Sequence, residues 1–111
     1  MKEQKIKKII YKINNSNIIP NAEKIANRLI SLSDLTEEDS EISVDSLNNF
    51  YLFLESNTTL DYPMISLTPD NEIYSSWENK LFGKLFSIRF LPNGDRRIVL
   101  FLRNDKLIQI N

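Results

Sequence analysis

The chain of 111 residues contains neither histidine nor cysteine. Without these residues it has no imidazole general base, no thiolate nucleophile, and no nitrogen or sulfur ligand for a metal ion. Their absence excludes serine–histidine and cysteine–histidine hydrolases, cysteine- or histidine-based zinc sites, and a secreted scaffold held by disulfides. The expected compartment is therefore the cytoplasm.

Glycine is almost as scarce, since Gly83 and Gly94 are the only two in the chain. Both fall between predicted strands, so neither a P-loop nor a Rossmann fingerprint can be built, and we predict no cofactor. No apolar run approaches the ~18 residues of a membrane-spanning helix. The start, MKEQKIKKIIYKI, is interrupted by lysines, and we interpret it as mature chain rather than as a signal peptide.

Carboxylates are the main groups left for chemistry. The cluster Glu37, Glu38, Asp39 and Glu41 lacks the spacing and the glycine of a calcium-binding loop. With Thr36 ahead of it, we interpret it as a solvated helix start or capping box. A paired-carboxylate hydrolase would need two acids that converge in a pocket, which the sequence does not show. We expect a protein that is not an enzyme and binds no metal.

The first half of the chain shows three apolar stripes with the 3.6-residue period of amphipathic helices. The first stripe ends near NNSN, the second starts near Pro20 and ends before SLSD, and the third is closed by ESNTT. The expected core positions are Ile6, Ile9, Ile10 and Ile13, then Ala22, Ile25, Ala26, Leu29 and Ile30, then Val44, Leu47, Phe50, Tyr51 and Leu54.

From Pro63 onward the apolar period changes to two, which predicts strands. The runs MISLT, EIYSSWE, KLFSIRFL, RIVLFLR and LIQI are separated by short turn sequences. Asn93-Gly94 predicts a two-residue type I′ turn, and Asp70-Asn71 is a weaker form of the same signal. Short connections require sequential antiparallel pairing.

These elements predict an α+β fold with two or three N-terminal helices packed on one face of a C-terminal antiparallel β-meander of four to five strands. We expect one domain over residues 1–111, with helices over about 3–57 and the meander over about 63–110. Trp77 shares a strand face with Ile73, which predicts a core position, whereas Tyr74 lies on the opposite face. The sequence leaves open which face of the sheet the helices cover.

The strand RIVLFLR is apolar on both faces, so it is either covered on both sides or carries a binding surface. We favour a protein-binding surface on the outward face of the sheet. Its expected residues are Tyr74, Arg89, Val99, Phe101 and Arg103. The acidic segment 34–45 is a second candidate surface, and a homo-oligomer through an edge strand or the exposed face stays open.

Nucleic-acid binding is the alternative function, because basic residues accompany the aromatic strands. Its expected contacts are Lys84, Arg96 and Arg97. The net charge of −1 and the absence of the RNA-recognition motif argue against it. No membrane partner is expected.

The second half of the chain, Pro63 to Asn104, resembles small, largely uncharacterised bacterial proteins that occur among mobile-element genes. Their pattern is P…TPDG-IY-W followed by FLP-G and VLF, and it corresponds here to TPDNEIYSSW and FLPNGDRRIVLF. Asn71 replaces the glycine of that pattern. The resemblance implies a small α+β accessory protein of the antitoxin-like, inhibitor or defence-related kind.

Overall fold

The computed structural model describes residues 2–35, 41–79, 84–101 and 107–110. Three helices come first: α1 (Lys2–Asn14), α2 (Ala22–Leu35) and α3 (Val44–Ser56). Five strands follow: β1 (Met64–Leu67), β2 (Ile73–Asn79), β3 (Lys84–Phe90), β4 (Arg96–Phe101) and β5 (Leu107–Ile110). They form one antiparallel sheet in the order β1-β2-β3-β4-β5, which confirms the predicted α+β class with helices before a meander.

The apolar stripes of the helices form the core as predicted, with one exception. Ile30 is 46% exposed on the outer side of α2. Helix α2 also begins later than expected, after Asn21 in the left-handed region (φ 57°), and it continues through SLSD to Leu35. The other residues of the predicted stripes are buried or pack against the buried cluster.

The helices cover only one side of the sheet. Helix α3 packs on β2 and β3, α2 packs on β1, and α1 packs on the other two helices rather than on a described strand. Ile73, Trp77, Ile88 and Phe90 face the helices and are buried. Trp77 is 2% exposed, so its predicted core position is confirmed.

Aromatic rings fill the space between α3 and the sheet. Phe53 lies 5.4 Å from both Trp77 and Phe90 between ring centroids, and Trp77 stacks on Phe86 at 5.2 Å. Phe50 meets Phe90 edge to face at 5.2 Å. Pairs of this geometry add about 0.5–1.5 kcal/mol each beyond the area that they bury.

The two hairpin turns at one end of the sheet differ from the predicted two-residue turns. Both are three-residue loops in which proline takes the second turn position: the N–H of Asn71 bonds to the Thr68 carbonyl (2.8 Å), and the N–H of Gly94 bonds to the Leu91 carbonyl (3.1 Å). Only the last loop residue has positive φ, 61° at Asn71 and 94° at Gly94. The type I′ prediction for Asn93-Gly94 is therefore wrong.

Proline explains this difference. The ring of Pro69 or Pro92 holds φ near −65°, which suits the second position of a type I turn. The left-handed residue then forms the bulge that restores strand pairing. This arrangement explains why Asn71 can occupy a position where glycine is usual, since asparagine tolerates positive φ better than other residues with a side chain.

A row of polar residues at three-residue spacing, the cap residue Ser43 followed by Ser46 and Asn49 of α3, joins the helix to the hairpin end of the sheet. The Ser43 hydroxyl caps α3 by accepting from the Ser46 N–H, and the Ser43 N–H donates to the Asn71 carbonyl at 2.9 Å. The Asn49 side-chain amide donates to the carbonyls of Leu91 (3.1 Å) and Asp95 (2.9 Å). These bonds fix the helical layer above the sheet and leave the opposite face free.

Ser46 is fully buried, and its hydroxyl replaces a backbone hydrogen bond between β2 and β3. Its hydroxyl accepts from the Ile73 N–H (2.7 Å) and donates to the Phe90 carbonyl (2.6 Å). Ile73 and Phe90 lie just beyond the last paired residues of β2 and β3, Tyr74 and Arg89. The hydroxyl thus satisfies a buried donor and a buried acceptor at the end of the ladder.

Candidate functional site

The sheet face opposite the helices is the candidate functional surface, and we call it the open face. Strand register places three cross-strand rows on it: Ser66, Tyr74, Arg89 and Arg97; then Met64, Ser76, Ser87, Val99 and Gln109; then Glu78, Leu85, Phe101 and Leu107. No described helix packs against this face. Four of the five predicted interface residues, Tyr74, Arg89, Val99 and Phe101, therefore share one face by register.

Two of the predicted interface residues, Tyr74 and Val99, are half-buried. Phe101 is placed by its backbone, opposite Leu85 and Leu107. Arg103 lies outside the described residues, as do Thr36, Glu37, Glu38 and Asp39 of the predicted capping box.

Arg89 is held by two carboxylates from the first hairpin. Its Nη2 lies 2.6 Å from Glu72 Oε1 and 3.3 Å from Asp70 Oδ2, and its Nε donates to Glu72 Oε1 at 2.7 Å. The Glu72 side chain is only 8% exposed, whereas that of Asp70 is 76% exposed. The cation thus balances a nearly buried carboxylate, and its charge is compensated within the chain.

Arg96 and Arg97 are neighbours in sequence but lie on opposite faces of the sheet. Arg96 faces the helices: its Nε donates to Asn49 Oδ1 at 2.9 Å, and its guanidinium carbon lies 5.2 Å from the centroid of the Phe53 ring. Arg97 is exposed on the open face in the same row as Arg89. The structure does not bring these two arginines together, and Lys84 is placed by its backbone alone.

Ser76 and Ser87 occupy the centre of the open face. Both side chains are buried, and their hydroxyl oxygens lie 2.8 Å apart, so they form one hydrogen bond with each other. A partner that covered this centre would not leave either hydroxyl without a bond. Around them lie the half-buried apolar side chains of Leu85 and Val99.

Only the start of strand β4 lies under the helical layer. Arg96 reaches Asn49 and Phe53 of α3, and Ile98 packs against the buried cluster. Farther along the strand, Val99 and Leu100 are half-buried although they lie on opposite faces. The apolar character of this strand on both faces is therefore not explained by coverage on both sides within the described chain. Within the described chain, the second half of β4 keeps apolar surface in contact with solvent.

A cleft of about 660 Å³ opens at the β1 edge of the sheet, at the point where β1 ends and β2 continues. Its walls include Tyr62, Met64, Trp77 and Phe86, and Asp61 and Glu78 also line it. Tyr62 is 41% exposed and Met64 is 65% exposed. The pattern of the sequence did not single out this site, because it depends on the chain before β1 turning away from β2.

The outer side of the helices carries a smaller apolar groove. It has a volume of about 380 Å³ between α1 and α2, lined by residues that include Tyr11, Ala26 and Ile30. Tyr11 is 69% exposed. No helix of the described chain is long and apolar enough to cross a membrane.

Comparison of this chain with protein-family models, with curated proteins and with solved structures finds no match in any of the three.

Proposed function

We propose that this chain is a non-enzymatic, cytoplasmic protein-binding module that acts as an inhibitor or antitoxin-like accessory factor on a partner protein. The observation that carries the proposal is the exposure of the second half of β4. Val99 and Leu100 are apolar, lie on opposite faces of the sheet and keep part of their surface in contact with solvent. An apolar strip of this kind, with charged residues at its border, is typical of surfaces that bind proteins.

The charges of the open face support a protein partner over a nucleic acid. Nucleic-acid binding depends on cations that neutralise phosphates. Arg89 is already paired with Glu72 and Asp70, and Arg96 is bonded to Asn49 on the helix side. Of the three arginines, Arg97 is the one that the described structure presents to solvent on the open face.

Paired-carboxylate catalysis receives less support than binding. Asp61 and Glu78 line the same cleft, but both side chains are exposed. A carboxylic acid that donates a proton near neutral pH generally needs a desolvated site. The cleft is therefore better suited to binding than to proton transfer.

A photo-crosslinking experiment in the native host tests the protein-binding proposal. A benzophenone amino acid at Val99 is expected to give a discrete cross-linked protein, and the same group at the exposed Lys12 on α1 should not. Val99→Asp should remove the complex that the wild-type chain forms, with little change in the thermal midpoint because Val99 is only half-buried. Equal cross-linking at both positions would contradict the proposal.

A gel-shift titration separates the nucleic-acid alternative. Electrostatic binding to DNA or RNA weakens steeply as salt rises, and loss of one phosphate contact reduces that slope by about one. Arg97→Ala is the informative variant, because Arg96→Ala would also remove bonds to α3. Absence of a shift at low salt would eliminate this alternative.

A further inference from the structure

We infer that the cleft beside β2 binds an extended, basic peptide segment of a partner protein, which adds to the sheet as a strand against Glu78. This site is separate from the β4 surface, and the inference does not depend on that surface binding a partner. It rests on the free backbone of β2, the lining of the cleft and the charge of its border.

The first step concerns strand length. β1 has four residues and β2 has seven, and the last pair between them is Met64 with Ser76. Beyond that pair, β2 continues through Trp77, Glu78 and Asn79 while the chain preceding β1 is no longer a strand. Pro63 is the next residue on the β1 side, and it is not part of the strand.

The second step identifies which backbone groups are free. Successive residues of a strand direct their N–H and C=O groups to opposite sides. The Ile73 N–H is directed to the β3 side, where it reaches the Ser46 hydroxyl that also binds the Phe90 carbonyl. Glu78, five residues later, therefore directs its N–H and C=O away from β3 and toward the cleft.

Those two groups of Glu78 have no partner on the cleft side among the residues that the structure describes. No backbone hydrogen bond joins Glu78 to residues 57–63 in the described chain. An unpaired donor and acceptor at a strand edge form the template on which an extended peptide can add.

The third step is the shape of the cleft. Its lining includes Ser76 and Glu78 from one face of β2 and Trp77 from the other, so it runs along the edge of the strand rather than over one face. A peptide bound at that edge would place alternate side chains on both faces of the sheet. Its apolar side chains would meet Tyr62, Met64 and Phe86.

The fourth step selects the charge of the peptide. Asp61 and Glu78 line the cleft, and neither forms a salt bridge with a described residue. Lys24 and Arg28 lie on the far side of Tyr62, where Arg28 is engaged with the Ile65 carbonyl at 3.0 Å. A lysine or arginine of the bound segment would complement the two carboxylates, and its cation could also lie over an aromatic ring of the cleft.

The test begins with hydrogen exchange of the free chain, measured by NMR. The Glu78 amide should exchange much faster than the Ser76 amide, which lies within the β1–β2 ladder. Strong protection of Glu78 in the dilute free chain would overturn the inference. Protection that grows with protein concentration would also overturn it, because a second copy of the chain would then be the occupant.

Ligand selection uses a phage-displayed library of random linear peptides on the folded chain. Enriched peptides should carry lysine or arginine among alternating apolar residues, and a synthetic copy should protect the Glu78 amide. Methylation of the peptide nitrogen that pairs with Glu78 should weaken binding about tenfold or more, the equivalent of one hydrogen bond of about 1.4 kcal/mol. Enriched peptides without a basic residue, or insensitive to methylation, would refute the inference.

Variants of the chain complete the test. Asp61→Lys and Glu78→Lys should each weaken the synthetic peptide about tenfold or more, since both reverse a charge beside the bound cation. Glu41→Lys makes the same charge change at an exposed position that does not line the cleft, and it should leave the affinity within about twofold. Val99→Asp should also leave it unchanged, which keeps this result distinct from that of the β4 surface. Equal losses in all four variants would contradict the proposed site.

Discussion

Removal of the Ser46 hydroxyl should be among the most damaging single-atom changes in the chain. Ser46→Ala would leave the Ile73 N–H and the Phe90 carbonyl without a partner in a site that is 0% exposed at Ser46. A buried polar group without a bond costs about 1–3 kcal/mol. The two groups together give an expected loss of about 2–6 kcal/mol in the free energy of unfolding, from a total of about 5–15 kcal/mol.

Urea denaturation measures this loss, with Trp77 fluorescence as the signal, because Trp77 is the only tryptophan and is buried. The midpoint should fall while the dependence on urea stays the same. Ser66→Ala is the matched control: its hydroxyl lies 3.5 Å from the Tyr74 carbonyl on an exposed position, and a change within about 0.5 kcal/mol is expected. A loss below about 1 kcal/mol for Ser46→Ala would show that the hydroxyl does not replace a ladder bond.

Three further substitutions test other parts of the structure by the same unfolding measurement. Trp77→Ala should cost about 3–5 kcal/mol and Trp77→Phe less than about 1.5 kcal/mol, because the second change also removes an indole N–H that is buried without a partner among the described residues. Both variants lack the fluorescent residue and are followed by circular dichroism. Arg89→Met should cost about 2–4 kcal/mol by leaving the Glu72 carboxylate unpaired, while Arg97→Met in the same row should change stability by less than about 0.5 kcal/mol; equal effects would contradict the assignment. Gly94→Ala should cost about 1–2 kcal/mol from its positive φ alone, since a Cβ there meets nothing within 4 Å; an unchanged midpoint would show that the turn relaxes.

Periodicity was sufficient to predict the layers of the fold. The spacing of Ile6, Ile9, Ile10 and Ile13 follows from burying one face of a helix, and that physical requirement is visible in any single sequence. The same holds for Trp77, whose alternation with Tyr74 predicts opposite faces. These predictions succeeded because each depends on neighbours within one element.

The turns and the polar row on α3 were not predicted, because they depend on contacts between elements. The Asn-Gly signal was outweighed by Pro92, which fixes the backbone one residue earlier. Ser46 and Asn49 lie beside Leu47 and Phe50 on the inner side of α3, a placement that the helical period contains, but their partners are 44 and 42 residues away. Local patterns show a buried polar residue without showing what it bonds.

The candidate site was predicted in outline and missed in detail. Alternation along β4 already separates Arg96 from Arg97, so the proposal of a shared basic contact conflicted with the period of the strand itself. Arg89 could be placed on the open face from the sequence, but its pairing with Glu72 depends on the register between β2 and β3. The cleft could not be found, because it is created by the point at which β1 stops.

Both proposed surfaces have the same architectural origin, a mismatch between neighbouring layers or strands. Helices α2 and α3 cover β1, β2 and β3 but reach only the start of β4, so Val99 and Leu100 remain partly in contact with solvent. β1 is three residues shorter than β2, so the end of β2 keeps an unpaired backbone edge beside an aromatic cleft. In this chain the apolar side chains of β4 are left partly uncovered and the backbone edge of β2 is left unpaired. Exposed apolar surface and unpaired strand edges favour association with other chains. The two surfaces differ in chemistry: the β4 surface is apolar and lies near Arg89, whose charge is balanced by Glu72 and Asp70, whereas the edge at Glu78 is acidic. A single partner that bound both would therefore need an apolar contact and a basic extended segment.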